Sequence, residues 1–366
     1  MPDEKTTKKS ALSAQSEKTK KSAQNPESIL KRKRMTWILM IPTVFYLLFL
    51  VALAYAGYTG PERWWWTSLN LYLPQWIWAI PGVALILLYL LVRWRWVGIP
   101  LLLTLWVITA QMGFVFHLSS PSPDLTKGTK LRLMTYNIKA GRIDNMNSIL
   151  EDIRESKPDV ILFQEAHRGN VDIMRQTLYG WNVEAIDQYL IASQLPITKA
   201  EMKTLTSGDV RLNAMRCTLT VHNKPVTVYT VHLHSPRSGL VTSLHAARRS
   251  QEAVTDNTDL RLNQAKLLAD YLRKEATPMI LTGDLNAPVQ SEVCQELEDI
   301  GLRDAFSAAG RGYGYTYGQF VKVIHMPYLR IDHIMLSADW TILKSWPGNK
   351  EGSEHRPVFA DVYLPH

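Results

Sequence analysis

From Met35 to Tyr58 the chain carries no charged residue. In helical form, about two dozen apolar residues reach across the ~30 Å hydrocarbon core of a bilayer. A soluble fold has little use for such a run unless it buries every side of it. Two further uncharged runs follow, at about Leu71–Val92, with Pro74 and Pro81 near its start, and at about Val97–Leu118. A signal peptide is the competing reading of the first run. The long basic region before it, the length of the run and the apolar stretches after it speak against that. A buried helical hairpin in a soluble protein is the other alternative. Trp64, Trp65, Trp66, Trp76, Trp78, Trp94 and Trp96 cluster where spans would meet headgroups, as an aromatic belt does. The expected anchor therefore occupies residues 35–118, with three transmembrane helices at about 35–58, 71–92 and 97–118.

Charge gives the anchor a direction. Residues 1–34 hold ten Lys/Arg against four Asp/Glu, residues 35–129 four against two, and residues 130–366 twenty-seven against twenty-seven. The net charge of +8 thus belongs to the N-terminal third. A basic chain usually points to nucleic acid, but here the excess lies in a tail ending at Lys31-Arg32-Lys33-Arg34, beside the first apolar run. That tail has almost no large apolar groups and is expected to be disordered. The tail and the connector Arg93-Trp94-Arg95 should be cytoplasmic, whereas the loop around Gly60–Asn70 has only Arg63, balanced by Glu62. Three spans would then put the remainder on the non-cytoplasmic side of a plasma (inner) membrane. Residues 119–129, opening with Ser119-Ser120-Pro121-Ser122-Pro123, read as a linker, and a soluble domain is expected over 130–366. Cys217 and Cys294 are read on a strand and a helix, and sequence alone does not bring them together.

Beyond the linker, strands and helices alternate. Leu131–Tyr136 is an apolar strand-like run ending in Asn137. Asp144 or Asn145 can cap a helix with Met146, Ile149, Leu150 and Ile153 on one face. Val160–Phe163 is a second buried strand ending in Gln164-Glu165. Leu212–Val221 and Val226–Leu233 read as a hairpin turning at His222-Asn223-Lys224-Pro225. A helix around Leu262–Arg273 leads to a strand at Met279–Leu281. Hairpins mixed with strand–helix units imply a mixed sheet with helices outside.

Polar residues recur where these strands end. Gly283-Asp284-Leu285-Asn286 sets a carboxylate and an amide two apart at the mouth of a buried strand, a proton acceptor beside a neutral donor. Taken alone, such a pair is more often a loop or helix cap. Asn137, Glu165, His232 and His234 occupy the other strand ends, and Arg330-Ile331-Asp332-His333-Ile334 and Ser353-Glu354-His355-Arg356-Pro357 follow. Each has an ordinary structural reading, but strand ends on one sheet edge converge in space, and the series in order is hard to reconcile with chance.

Together these segments resemble the endonuclease/exonuclease/phosphatase superfamily, the DNase I-like fold, from Leu131 to about Phe359–Leu364. Met134-Thr135-Tyr136-Asn137-Ile138, Phe163-Gln164-Glu165, Val231-His232-Leu233, the Gly283–Asn286 turn and the last two segments are similar to its motifs in sequence order, and Ile191–Ile197 is similar to its strand before a Ser-Arg-x-Pro turn. The resemblance implies an α/β (α+β) four-layer sandwich, two mixed β-sheets packed face to face with helices outside. It also implies metal-dependent phosphoester hydrolysis with Mg²⁺ or Mn²⁺, hard cations that suit oxygen ligands. Glu165 is the implied metal ligand, with Asn137 beside it and Glu354 as a third candidate. Asp284 would activate the water and Asn286 donate to the same centre. His355, held by Asp332, would donate to a phosphate oxygen, with His232 as a second donor. Where the family usually has Ser-Asp-His, this chain has Glu354, which sets the carboxylate farther out by about one bond length. His234 and His333 are left as supporting or structural groups.

Substrate class stays open at this level. Nucleic acid, a lipid headgroup and a small phosphodiester all fit the family, and a sphingomyelinase-type phosphodiesterase or an inactive module binding a phosphorylated ligand are the alternatives. The charge balance of 130–366 gives no overall footprint for a polyanion. Pro236–Leu260, with Arg237, His245, Arg248 and Arg249, is either a loop over the cleft or a variable insertion. Arg311–Tyr328, rich in Tyr and Gly, is a second candidate wall.

Overall fold

The computed structural model describes residues 26–119, 121–139, 143–237, 250–275, 278–318, 326–349 and 352–366. Most of the expected disordered tail, His245, Arg248 and Arg249 lie outside them. The chain forms two compact units, residues 1–53 with 76–108, and residues 54–75 with 109–366.

The first unit is helical. Helix α1 (Pro26–Thr59) takes in Lys31–Arg34, so the tail boundary expected at 34 falls inside a helix. Helix α3 (Ala79–Arg93) packs closely on its neighbours through Gly82, where a Cβ would stand 2.1 Å from Thr104 Oγ1 and 3.0 Å from Tyr46 Oη. Tyr46 donates to the Trp78 carbonyl (2.7 Å), so its hydroxyl is satisfied within an apolar cluster of Leu39, Leu50, Leu85 and Tyr89. Outward-facing Trp37, Ile41, Phe45, Leu48, Leu87 and Leu91 are exposed.

The expected count of three spans is corrected to two. Lys33–Thr59 and Gln75–Trp96 are long and apolar enough to cross a membrane, whereas Gly98–Gln111 is a shorter apolar helix. That helix, which begins as α4 (Gly98–Trp106), is about 14 residues or ~21 Å long, short of the ~30 Å core. The remaining residues of the third run belong to the second unit instead: Val115 and Gly312 exchange backbone hydrogen bonds (2.8 and 2.9 Å), and His117 Nε2 bonds the Ser307 carbonyl (3.0 Å). The start of the second run is also lost to the span. Leu71 and Tyr72 are buried against Leu329 and Ile331.

The second unit is built on two six-stranded sheets. The first runs β11-β12-β1-β2-β4-β3 and the second β5-β6-β7-β8-β10-β9. Their strands are β1 (Gly128–Asn137), β2 (Val160–Gln164), β3 (Asn182–Ile186), β4 (Tyr189–Ser193), β5 (Ile197–Ser207), β6 (Val210–Val221), β7 (Lys224–His232), β8 (Met279–Asp284), β9 (Arg303–Asp304), β10 (Asp332–Leu336), β11 (Thr341–Pro347) and β12 (Val358–Pro365). Each sheet has one parallel pair at its centre, β1/β2 and β7/β8, and is antiparallel elsewhere. Parallel neighbours need a crossover, and helices α5 (Ile143–Ser156) and α7 (Ser250–Leu272) provide them. The turn between β6 and β7 places His222 and Asn223 at positive φ (47° and 62°), as a tight two-residue hairpin requires.

Alternation along the strands produces the layers. Leu131 and Leu133 of β1, Leu162 of β2, Val228 of β7, Ile280 of β8 and Ile334 of β10 share a buried core between the sheets. Met134, Tyr136 and Phe163 face the other way, onto Met146, Ile149 and Ile153 of α5. Tyr229, Val231 and Leu281 meet Leu268 and Leu272 of α7 and Val293 and Leu297 of α8 (Glu292–Glu298). At ~1.5–3 kcal/mol for each fully buried large apolar side chain, these layers fix the strand register. The four-layer expectation holds, and both cysteines are free and buried. Strand β5 is an edge strand whose Lys199 and Lys203 both pair with Glu201 (3.1 and 3.0 Å).

Candidate active site

The chemistry-bearing residues stand where the central registers end. Asn137 opposite Gln164 is the last pair of β1/β2, and His232 opposite Asp284 the last of β7/β8; Asp332 opposite Asp284 opens β10/β8. Two backbone features aim them. At Gly283 (φ 138°) a Cβ would lie 2.0 Å from the Val231 carbonyl oxygen, so only glycine lets β8 run this close to β7. Glu165 (φ 54°) and Asn286 (φ 51°) are left-handed; Asn tolerates this conformation and Glu rarely adopts it.

Asn137 is the hub. Its Nδ2 donates to Glu165 Oε1 and to Asp284 Oδ2, both at 3.0 Å, and its Oδ1 accepts from the Lys139 amide (3.0 Å). The Lys139 ammonium sits 2.7 Å from Glu165 Oε1. Burial raises the Glu165 pKa, but Lys139 and Asn137 outweigh it and hold the carboxyl below its usual range. Asp284 is fully buried, with Oδ1 accepting the Asn286 amide (2.8 Å). Its Oδ2 lies 3.7 Å from His232 Nε2 and 3.8 Å from His355 Nε2. Burial raises the Asp284 pKa and the nearby Asp332 adds to it, against the lowering effect of the two histidines.

His355 Nδ1 meets both oxygens of Asp332 (2.9 and 3.1 Å). Burial disfavours its charge, but Asp332 and Asp284 prevail and raise its pKa. His232 Nδ1 is held by Gln188 Oε1 (2.9 Å). The Asn286 side chain is occupied differently from the expectation: Nδ2 donates to the Leu233 carbonyl (2.9 Å), so the amide braces the turn. Glu354 stands apart, paired with Arg237 (3.3 Å), which also donates to Tyr317 Oη (2.9 Å). The Tyr317 ring lies 4.7 Å from the His355 ring, so Arg237, Tyr317 and Glu354 form a rim beside it.

Of the two histidines left open, His333 is buried away from this cluster. It bonds Asp304 Oδ2 through Nδ1 (2.8 Å) and donates from Nε2 to the Ala287 carbonyl (3.0 Å), while Arg330 pairs with the same carboxylate. The His234 backbone amide is held by Gln264 Oε1 (2.9 Å). Neither Gln188, in a turn, nor Lys139 stands out in the sequence; the only local signal of Lys139 is its place two residues beyond Asn137.

Donor chemistry fits a hard cation. Asp284, Asp332 and His355 offer ligand atoms within 4.8 Å of one another and could hold a metal ion. In that group Asp332 meets His355 Nδ1 with both its oxygens. Glu165 and Asn137 add oxygen donors beside it, and the Lys139 ammonium 2.7 Å from Glu165 Oε1 marks that carboxylate as a place for a cation.

Two mixed sheets with a buried Asp, Asn and His–Asp set at the ends of their central strands define a phosphoester hydrolase of sandwich architecture. The model of the Endonuclease/Exonuclease/phosphatase family matches residues 134–355, and the chain belongs to that family. Solved structures share the fold. An endonuclease/exonuclease/phosphatase family protein from Bacteroides thetaiotaomicron is 14% identical over 65% of this chain and 99% of its own, with a TM-score of 0.52. A Bacteroides vulgatus member is 16% identical over 64% and 99%, also with a TM-score of 0.52. A conserved protein of unknown function from Enterococcus faecalis V583 is 16% identical over 63% and 99%, with a TM-score of 0.50. No curated protein matches the sequence.

Proposed function

We propose that this chain is a membrane-anchored, divalent-metal-dependent phosphoesterase in which Asp284 takes the proton of the attacking water. The observation that carries this reading is the placement of the buried Asp284 carboxylate: its Oδ2 accepts from Asn137 Nδ2 (3.0 Å), which also reaches Glu165 Oε1 (3.0 Å), and faces Nε2 of His232 and His355 at 3.7 and 3.8 Å, while burial and Asp332 raise its pKa. As the water oxygen adds to phosphorus, its proton passes to Asp284 Oδ2 and the bond to the leaving group breaks. His355, oriented by Asp332, donates from Nε2 to a phosphoryl oxygen, and His232 adds a second donor. Glu165 and Asn137 would hold Mg²⁺ or Mn²⁺, with Glu354 as the remaining candidate, and the ion would offset charge on the phosphoryl and leaving oxygens. Asn286 braces the turn that carries Asp284.

Two long apolar helices support the anchor. The Lys31–Arg34 run beside the first of them supports a cytoplasmic N-terminus. For substrate, a generic phosphodiester or monoester is the first reading. A lipid headgroup is the second, favoured by the short connector between the two apolar helices. The test is a panel of plasmid DNA, RNA, sphingomyelin, phosphatidylinositol and a chromogenic diester, offered to the detergent-solubilised full chain with EDTA and then with excess Mg²⁺. Metal-restored turnover is expected, and turnover that ignores EDTA overturns the metal assignment.

A further inference from the structure

The turn Asp284–Ala287 is held from several sides. Leu233 donates to the Asp284 carbonyl (3.0 Å), Leu285 donates to the Ile331 carbonyl (2.9 Å), and His333 donates to the Ala287 carbonyl (3.0 Å). A further backbone acceptor, the Asn286 carbonyl, takes its hydrogen bond from Tyr72 Oη (3.0 Å), a residue more than sixty positions before the family match begins.

Tyr72 sits in the connector between the two long apolar helices, just after helix α2 (Trp65–Leu71). The connector is fastened at two points. Glu62 Oε2 accepts the Glu292 amide (2.9 Å) and its other oxygen bonds the Ser291 hydroxyl, which caps the first turn of α8. At the far end Tyr72 is buried with Leu71 against Leu329 and Ile331, and the Arg261 guanidinium lies 5.3 Å from its ring centre. Arg261 is itself buried, its Nη1 donates to Asn257 Oδ1 (2.9 Å), and the Glu62 carboxylate is near enough to feel its charge. A buried guanidinium is costly unless its charge is met, and the ring face of Tyr72 shares that role. The Tyr72 ring is thereby clamped, which leaves its hydroxyl one direction to point. Burial also raises the hydroxyl's pKa, so it stays a donor.

We infer that Tyr72 is a positioning residue for the phosphoester hydrolase, fixing the turn that aims Asp284, so that the connector completes an active site otherwise contained in the family domain. The inference rests on Asp284 as the proton acceptor. Tyr72→Phe keeps the ring, its burial and its contact with Arg261, and removes only the hydrogen bond. In the full-length solubilised protein it is expected to lower kcat about five- to tenfold with KM and thermal midpoint unchanged, since small misplacements of a catalytic group are felt in the chemical step. Glu62→Ala removes the acceptor of the Glu292 amide and the Ser291 hydroxyl at the other fastening and leaves the Tyr72 hydrogen bond in place, so it should lower the thermal midpoint while leaving kcat at the wild-type value. An unchanged kcat in Tyr72→Phe, or an equal fall in both variants, overturns the inference. Hydrogen exchange at the Leu285–Ala287 amides reads the same contact without turnover. Faster exchange in Tyr72→Phe alone is expected, and wild-type protection there overturns the inference even if Asp284 has another role.

Discussion

Glu165 and Asp284 end the central parallel pairs of the two sheets, share one Asn137 amide group, and are tuned in opposite directions. The difference lies in what surrounds them. Glu165 is about a quarter exposed and faces the Lys139 ammonium, whereas Asp284 is sealed beside Asp332. Two carboxylates in one cleft can therefore serve as a fixed charge and a proton acceptor, provided one is given a cation and the other is denied water. Asp304 completes the comparison. It is as buried as Asp284, yet Arg330 and His333 hold its carboxyl well below the usual range despite that burial, so partners and not depth decide the outcome.

The comparison is easiest to break at Asp284. Asp284→Asn should lower kcat by about 10²–10⁴-fold, the usual worth of a general base. It should also raise the thermal midpoint of metal-free protein, because a raised folded pKa means that the ionised group opposes folding. A lower midpoint would show that the buried charge is compensated after all. Asp304→Asn should act in the opposite sense, costing ~3–5 kcal/mol in urea unfolding by leaving Arg330 and His333 buried without their carboxylate; a loss below about 1 kcal/mol would mean that depth, not partners, tunes these groups. Glu165→Gln should raise the metal concentration for half-maximal turnover by more than about tenfold, with kcat largely restored at saturating metal. A titration curve matching the wild type would remove Glu165 from the metal.

The smallest expected effect is in pH. With Asp284 raised, the acid limb of kcat/KM should fall above 3.8, the ordinary carboxylate value for Asp. Asp304 works the other way: its folded pKa is depressed, so its contribution to stability is full above that ordinary value and is lost as pH falls below it. Activity should thus disappear on acidification before stability does. Simultaneous loss in a pH series read by turnover and near-UV circular dichroism would merge the two carboxylates into one class.

Much of this site was legible because each residue ends a run of buried apolar residues. β1, β2, β7 and β8 announced themselves by continuous hydrophobicity, and the polar residues after them stood out. Strand β5 gave no such signal, since only Leu205 along it is fully buried and Lys, Glu and Thr interrupt its partly buried Ile197, Ala200 and Met202. Helix α7 was foreseen only from Leu262, because before it Val254 is the one buried apolar position among the described residues and the others, Asn257, Thr258 and Arg261, carry no hydrophobic period. Residues 250–260 of the stretch read as either a loop over the cleft or a variable insertion are therefore helix. The contact from Tyr72 was hidden for another reason: a tyrosine beside an apolar run reads as part of a membrane span, and only the tertiary fold draws it out.

Strand β5 has a further consequence, because one of its long sides is unpaired among the described residues. Two copies meeting there could splice their sheets and polymerise. Lys199, Glu201 and Lys203 alternate onto one face, so two such strands would bring net positive stripes together. The register shift between Ile197 and Lys199 also bends the strand where a straight template would be needed. The polarity that hid β5 in the sequence keeps neighbouring molecules from joining along it.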